Sequence, residues 1–286
     1  MVGLDARQTE ISLSYAAQQA AGLPYWNRDP DHIEKSFDFG ANSAKNAVYA
    51  VLLAQAGFTS PRQPLTGERG YLNAFAERPD PTALIDELGS RFEIERASIK
   101  KWCVGSPIQS VLDGLEALLA DDGFDAGRVA TVHVDMPADR FHITDNRTMP
   151  AVCLQHLAAL MLVRGTLTYA AVHDESLMDD PAVLSMRARI TTAPSQALAD
   201  ARPERQSIVR IVLDDGSEYQ HHGKYVRGTP DNPMTPAEIA TKARELLSPL
   251  VPDTVDAAIE LCLKPAEFDI AHLVALFRGA ENEHEA

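Results

Sequence analysis

Apolar positions recur along this chain with two different periods, and the change of period divides it. Residues 8–22 are rich in Ala and Gln and run to Gly22, a pattern that predicts a buried helix with a glycine stop. After the loop "LPYWNRDPDHIEKSFDFG", the stretch "ANSAKNAVYAVLLAQAG" predicts a second helix closing at Gly57. Its Ala44, Ala47, Val48, Val51 and Leu52 leave few polar positions, so it is expected in the middle of a helical layer. Residues 59–70 are turn-rich.

From about residue 95 the spacing changes. "VATVHVD", "RARITTA" and "SIVRIVL" carry the β-branched alternation of strands, and "LDDGSEYQ" reads as a hairpin turn centred on Asp215-Gly216. Two amphipathic helices are expected between the strands. One runs from about Ser106 to Leu119, with Ile108, Val111, Leu112, Leu115, Leu118 and Leu119 on one face, and the other from about Met149 to Val163. Past residue 233 the chain reads as helical again. Thr235, Pro236 and Glu238 form a capping-box signature, two short helices follow, and "AENEHEA" reads as a frayed tail. The predicted class is therefore α+β: a helical segment over 1–94, an α/β portion over 95–230, and C-terminal helices over 231–286. There is no internal repeat.

Charge narrows the partners. The chain has 286 residues and a formal net charge of -15, with a sequence pI near 5.0. That argues against nucleic acid, whose phosphates need a basic field, while leaving room for one local positive pocket that takes a small anion. No apolar run approaches the ~20 residues of a bilayer span, and the N-terminal residues lack a signal-peptide pattern. Cys103, Cys153 and Cys262 are odd in number and widely spaced, which fits reduced thiols and a cytoplasmic location. The chain carries no H-E-x-x-H, Walker, G-x-G-x-x-G or G-x-S-x-G pattern, so the expectation is chemistry without a metal or organic cofactor.

Several residues suit anion chemistry. In "ASIKKWCVGSPIQSVLDG", Lys100 and Lys101 stand before a helix that Ser106 would cap and Pro107 would open. If "IKKW" is a strand, the two lysines face opposite ways, Lys100 toward a pocket and Lys101 toward solvent. The alternatives are an anion site or two solvated lysines. Lys35, in "HIEKSFDFG", lies before a helix start where a lysine can hold a carboxylate, or it is a plain loop lysine. His156, among apolar neighbours in "VCLQHLAALML", is either a structural core residue or a general acid/base. "QHHGKY" has the look of a metal tract but lacks a third ligand at sensible spacing.

Taken together, four blocks resemble the MmgE/PrpD family, which includes 2-methylcitrate dehydratase, cis-aconitate decarboxylase and iminodisuccinate epimerase. "VRGTPDNPMTPAEIATKARELL" is similar to its Gly and Pro-x-Asn-Pro-Met signature. "KSFDFGANSAKNAVYAVLLAQAGFTSPRQPLTGERGYLNAFA" is similar to its Lys-x-x-x-x-Gly helix and Leu-x-Gly-x-x-Gly-Phe segment. "IKKWCVGSPIQSVLDGL" resembles its Phe-Lys-Pro-Tyr-Pro, Cys and His-x-x-Ile-Asp block, and "MPAVCLQHLAALMLVRG" with "DDPAVLSMRARI" its lid. The resemblance implies an all-helical domain with an inserted α/β lid and a cleft between them. It also implies a dimer without cofactor, and removal of a proton, water or CO2 next to a carboxylate. It places Lys35 and Lys100 on two active-site lysines and makes His156 a candidate for proton transfer. Lys101, Ser106 and Gln109 become candidates for substrate binding. Gln109 stands where the family has His, and His156 where it has Tyr. The match reads as the family's C-terminal part only, which implies a second subunit equivalent to the N-terminal half. A self-sufficient lyase or epimerase with an altered site, and a non-catalytic binding or regulatory remnant, are the alternatives.

Overall fold

The strand segments form one sheet, and the alternation in "VATVHVD" and "SIVRIVL" gives those two a buried face. In the computed structural model, which describes residues 3–20, 23, 35, 37–121, 124–264, 266 and 268–278, the chain divides into two compact units, Met1–Glu93 and Ile94–Ala286. The predicted stop at Gly22 and the tail 280–286 lie outside the described residues.

The first unit is built on helices α1 (Ala6–Gln18) and α2 (Asn42–Gln55), which pack on each other. Asp5 caps α1 and Gln8 returns the bond, a capping box that the sequence pattern had not indicated. Glu10 ties the connection after α2 back to α1. It accepts hydrogen bonds from Arg7, Arg62 and the Gln63 N–H, which hold its carboxyl down to about 2, the Gln63 bond contributing most. The expectation that α2 sits inside a helical layer is not met in this unit. Ala50 and Ala54 are buried, but Val48 (61 %), Tyr49 (55 %) and Leu52 (55 %) are exposed, because α1 covers only the alanine stripe.

The second unit holds a four-stranded sheet in the order β2-β1-β3-β4: β1 is Val129–Pro137, β2 Ile190–Ser195, β3 Ser207–Leu213 and β4 Glu218–Gly223. β1 pairs with β2 in parallel and with β3 antiparallel, and β3 with β4 through the Asp215-Gly216 turn. Helix α3 (Gln109–Leu119) packs on β3 and β4. Between β1 and β2 lie α4 (Leu154–Arg164) and α5 (Pro181–Arg187). α4 is not amphipathic as expected. Leu154 through Leu162 are all buried, since α3, α5 and β2 enclose it, and a helix surrounded by protein needs no polar face. Ile108, Leu112, Leu115, Val134, Leu157, Leu160, Met161 and Ile211 form the centre of the core.

Helices α6 (Pro236–Leu247), α7 (Val255–Leu263) and α8 (Ile270–Arg278) complete this unit. α6 opens with the predicted Thr235/Glu238 capping box. Among the described residues, no helix is long and apolar enough to cross a membrane.

Candidate functional site

Two elements meet β4: the segment leading into α3, and the turn leading into α6. Their junction builds a polar surface cavity of about 480 Å³ with Lys101, Asp113, Glu116, His221, Lys224 and Arg227 among its walls.

The lead-in segment is not a strand. It has no ladder of strand bonds among the described residues: Ile99 N–H donates to the carbonyl of a turn glycine, Gly228, at 2.7 Å, and Gly105 N–H to the Ala151 carbonyl at 2.9 Å. Gly228 has φ +90°, and a Cβ there would sit 1.7 Å from the Ile99 carbonyl oxygen. The "RGTP" glycine is thus a steric requirement of that contact. Without strand alternation, the assignment of faces to the two lysines changes. Lys101 lines the cavity, paired with Glu116 and lying 4.7 Å from the Trp102 ring centroid. Lys100 is exposed, and its ammonium folds back to donate to the Val104 carbonyl at 3.0 Å. The Lys242 ammonium from α6 donates to the Lys100 carbonyl and fixes the main chain there.

Gln109 explains why this segment holds its shape. Its side chain is buried, and its amide accepts from Trp102 N–H at 3.1 Å and donates to the Trp102 carbonyl at 2.8 Å. One side-chain amide therefore pairs with both backbone groups of a single residue, as a neighbouring strand would. The two ring nitrogens of the expected histidine diverge and cannot grip both groups at once. Gln109 is a positioning residue for the lysine segment, and it does not face the cavity.

Ser106 does not cap the helix. Gly105 precedes a 3-10 turn over Ser106–Ile108, closed by Ile108 N–H to the Gly105 carbonyl at 3.0 Å, and Ser106 lies inside it without a capping hydrogen bond. The tighter turn moves the helix start one residue earlier than the Ser-Pro pattern indicates.

Asp113 links the two elements. It accepts from Trp102 Nε1 and from Arg227 N–H, each at 2.8 Å. Burial pushes its carboxyl up, against the lowering effect of those two hydrogen bonds. Arg227 in turn donates to Asn232 at 2.8 Å and pairs with Glu238. Glu238 is held down to about 2, first by Arg227 and then by Thr235.

His156 stands apart. Its ring is 0 % exposed and neither nitrogen has a hydrogen-bond partner. Removal from water pushes its pKa down to about 4, and the charge of Arg187 adds to that. The ring is a neutral core group. Lys35 belongs to the first unit, with its ammonium 5.9 Å from the Phe39 ring centroid. The structure thus brings Lys100, Lys101 and Gln109 into one assembly and leaves His156 in the core.

Sequence reading missed Asp113, Lys224, Arg227 and His221 as a group. The one signal was the run of signature residues around Gly228, which joins α3 only through tertiary contacts. Among the described residues no group of three or more His, Cys, Asp and Glu side chains is arranged to hold a metal.

Comparison with protein families gives two matches in chain order. The model of the MmgE/PrpD N-terminal domain matches residues 1–84, and that of the C-terminal domain residues 102–265. The first corrects the expectation that only the C-terminal part is represented, since residues 1–84 carry N-terminal-domain sequence. Comparison with curated proteins gives no match.

Proposed function

The chain belongs to the MmgE/PrpD family, and on that premise we propose that it is a cofactor-independent lyase or isomerase acting on a small carboxylate, with chemistry at the carbon next to that carboxylate. The observation that supports this reading is the cavity beside the lysine segment. Lys101, Lys224 and Arg227 line one pocket of about 480 Å³ together with Asp113, Glu116 and Glu238; Lys101 and Arg227 are paired there with Glu116 and Glu238, on a main chain held by Gln109, Gly228 and Lys242. Cations fixed on a pocket wall can bind a carboxylate, by exchange with their present partners, and stabilise the negative charge that develops when a bond on the neighbouring carbon ionises. Dehydration and epimerisation reach that charge by loss of the proton, and decarboxylation reaches a similar one by loss of CO2. Lys35 and Lys100 are assigned carboxylate binding on the family resemblance. His156 has no access to a solute and is given no proton-transfer role.

The second unit corresponds in this reading to the family's α/β lid and the first to part of its helical domain. A separate helical subunit completing the first unit is the accompanying proposal, supported by the exposed Val48, Tyr49 and Leu52 of α2. Co-expression with candidate helical chains, followed by mass measurement of the native complex, tests it; an active monomer of this chain alone would remove it.

The chemistry is tested by deuterium wash-in. The protein is incubated in D2O with a panel of di- and tricarboxylates, and loss of the proton next to each carboxylate is followed by NMR. Exchange on at least one acid, lowered at least ~10-fold by Lys101→Ala or Lys100→Ala, is the expected result. A folded protein that exchanges none of them refutes the proposal.

A further inference from the structure

The Lys101 cavity has a group able to move a proton, and it is not one of the residues that the family resemblance points to. Most titratable groups on its wall are already engaged. Glu116 pairs with Lys101, and Glu238 pairs with Arg227. Asp113 accepts two hydrogen bonds. Lys224 lies over the Tyr225 ring at 5.2 Å, and the His222 ring lies 2.8 Å from Gln206 Oε1. His221 remains, half-buried on the inward-facing side of β4.

Two glycines put it there. β4 lies directly on α3 where Gly223 meets Ser110, a contact so close that a Cβ on Gly223 would sit 2.8 Å from the Ser110 carbonyl oxygen. One helical turn on, at Gly114, a Cβ would be 3.1 Å from His221 Cδ2 and 3.5 Å from Val209 Cγ2. The His221 ring therefore rests on bare helix backbone. Val209, its cross-strand partner, closes one side, and the cavity opens on the other. A ring held by shape, with no hydrogen-bond partner among the described residues, suits a proton-transfer group better than one tied into a hydrogen-bond network.

We propose that His221 is the general acid/base of this cavity, acting on a small carboxylate held beside Lys101, Lys224 and Arg227. The inference rests on the carboxylate reading given above. In the step assigned to it, a neutral His221 nitrogen takes the proton from the carbon next to the carboxylate. The C–H bond breaks, its electron pair passes into the carboxylate as an enediolate, and the nearby cations balance that charge. Exchange of that proton with solvent at the ring, followed by its return to the same face of the same carbon, gives isotope exchange with retained configuration. Its delivery to a departing hydroxyl on the next carbon gives water and a double bond. The charged groups around the ring are Asp113 and Glu116 from α3, Lys101 from the lead-in, Lys224 and Arg227 after β4, and Glu238 from α6.

The test uses the full chain and three variants. His221→Gln is expected to lower deuterium wash-in by at least ~100-fold while succinate binding, measured by calorimetry, stays within ~3-fold. His221→Ala is expected to recover exchange on addition of imidazole. Gly114→Ala, which displaces the ring without removing it, is expected to lower kcat with little change in KM and to shift the pH profile. In the wild type, saturation with succinate is expected to move the His221 ring resonances in a histidine-labelled NMR spectrum. Wash-in by His221→Gln within ~3-fold of wild type, or succinate binding that leaves the His221 signal unmoved, overturns the inference. If Lys101→Ala abolishes exchange and His221→Gln does not, the carboxylate reading stands and His221 loses its role. If the wild type neither exchanges nor binds any acid, both fall.

Discussion

Replacement of His156 by leucine should make the second unit less sensitive to acid. The folded ring has a pKa of about 4 against an ordinary 6.5, because it is removed from water and has no partner for its charged form. As pH falls below about 6.5 the unfolded chain gains a proton at this position, and the folded chain does not gain it until about 4. Stability is therefore unaffected by this group above pH 7, declines through the window from 6.5 to 4, and levels off below it. At ~1.4 kcal/mol per pH unit the full loss is about 3 kcal/mol, of which about 2 kcal/mol falls by pH 5. His156→Leu, a change of similar volume in an apolar cluster, removes that loss and two unsatisfied ring nitrogens. It should also raise stability at pH 7 by roughly 1 kcal/mol, the lower end of the cost of a buried unpaired polar group after some repacking. Guanidinium unfolding followed by Trp102 fluorescence reads the relevant unit, since Trp102 packs in that core. A Trp26→Phe background makes it the sole indole. Other acid-sensitive groups are common to both chains and cancel in the difference. Parallel stability curves from pH 7 to 5, or a native His156 resonance that titrates near 6.5, would refute the reasoning.

Two further substitutions probe the lysine segment. Gly228→Ala should cost at least about 2 kcal/mol, from its positive φ and the contact with Ile99, and hydrogen exchange at the Ile99 amide should accelerate to match. Gln109→Ala leaves both Trp102 backbone groups without a partner in a buried place. It should cost about 2–4 kcal/mol in the same unfolding assay and depress turnover through Lys101, with wild-type stability refuting the positioning role.

Sequence pattern was most informative where burial alternates. "SIVRIVL" coincides with β3 because Ser207, Val209, Ile211 and Leu213 all face inward, and Asp215-Gly216 marks its turn through a local rule that needs no distant partner. The Thr235 cap on α6 is equally local. Failures occur where the deciding contact is remote. "IKKW" has the composition of a strand, but its neighbour is the Gly228 turn, so alternation assigned its lysines to the wrong faces. His221 and His222 stand together in a tract whose sequence argues against a metal site, since no third ligand has sensible spacing. Strand alternation alone separates the two, but its use as a pointer to a cavity requires knowing that Gly114 lies opposite. The exposed apolar side of α2 was legible as apolar, and nothing local to the helix states what covers it.

The bond from Lys242 to the Lys100 carbonyl spans 142 positions, and this has a consequence for the order of events during synthesis. Strands β1 to β4 and helix α3 can assemble as soon as residue 223 has left the ribosome. The lysine segment at the front of α3 must wait until the Gly228 turn and then α6 emerge, a delay of seconds at the ~5–20 residues per second of translation. For that interval the nascent chain carries a formed core with an unset lysine segment. A chain stalled before residue 228 would fold much of its sheet and yet leave the lysine segment without the Gly228 and Lys242 contacts that set it.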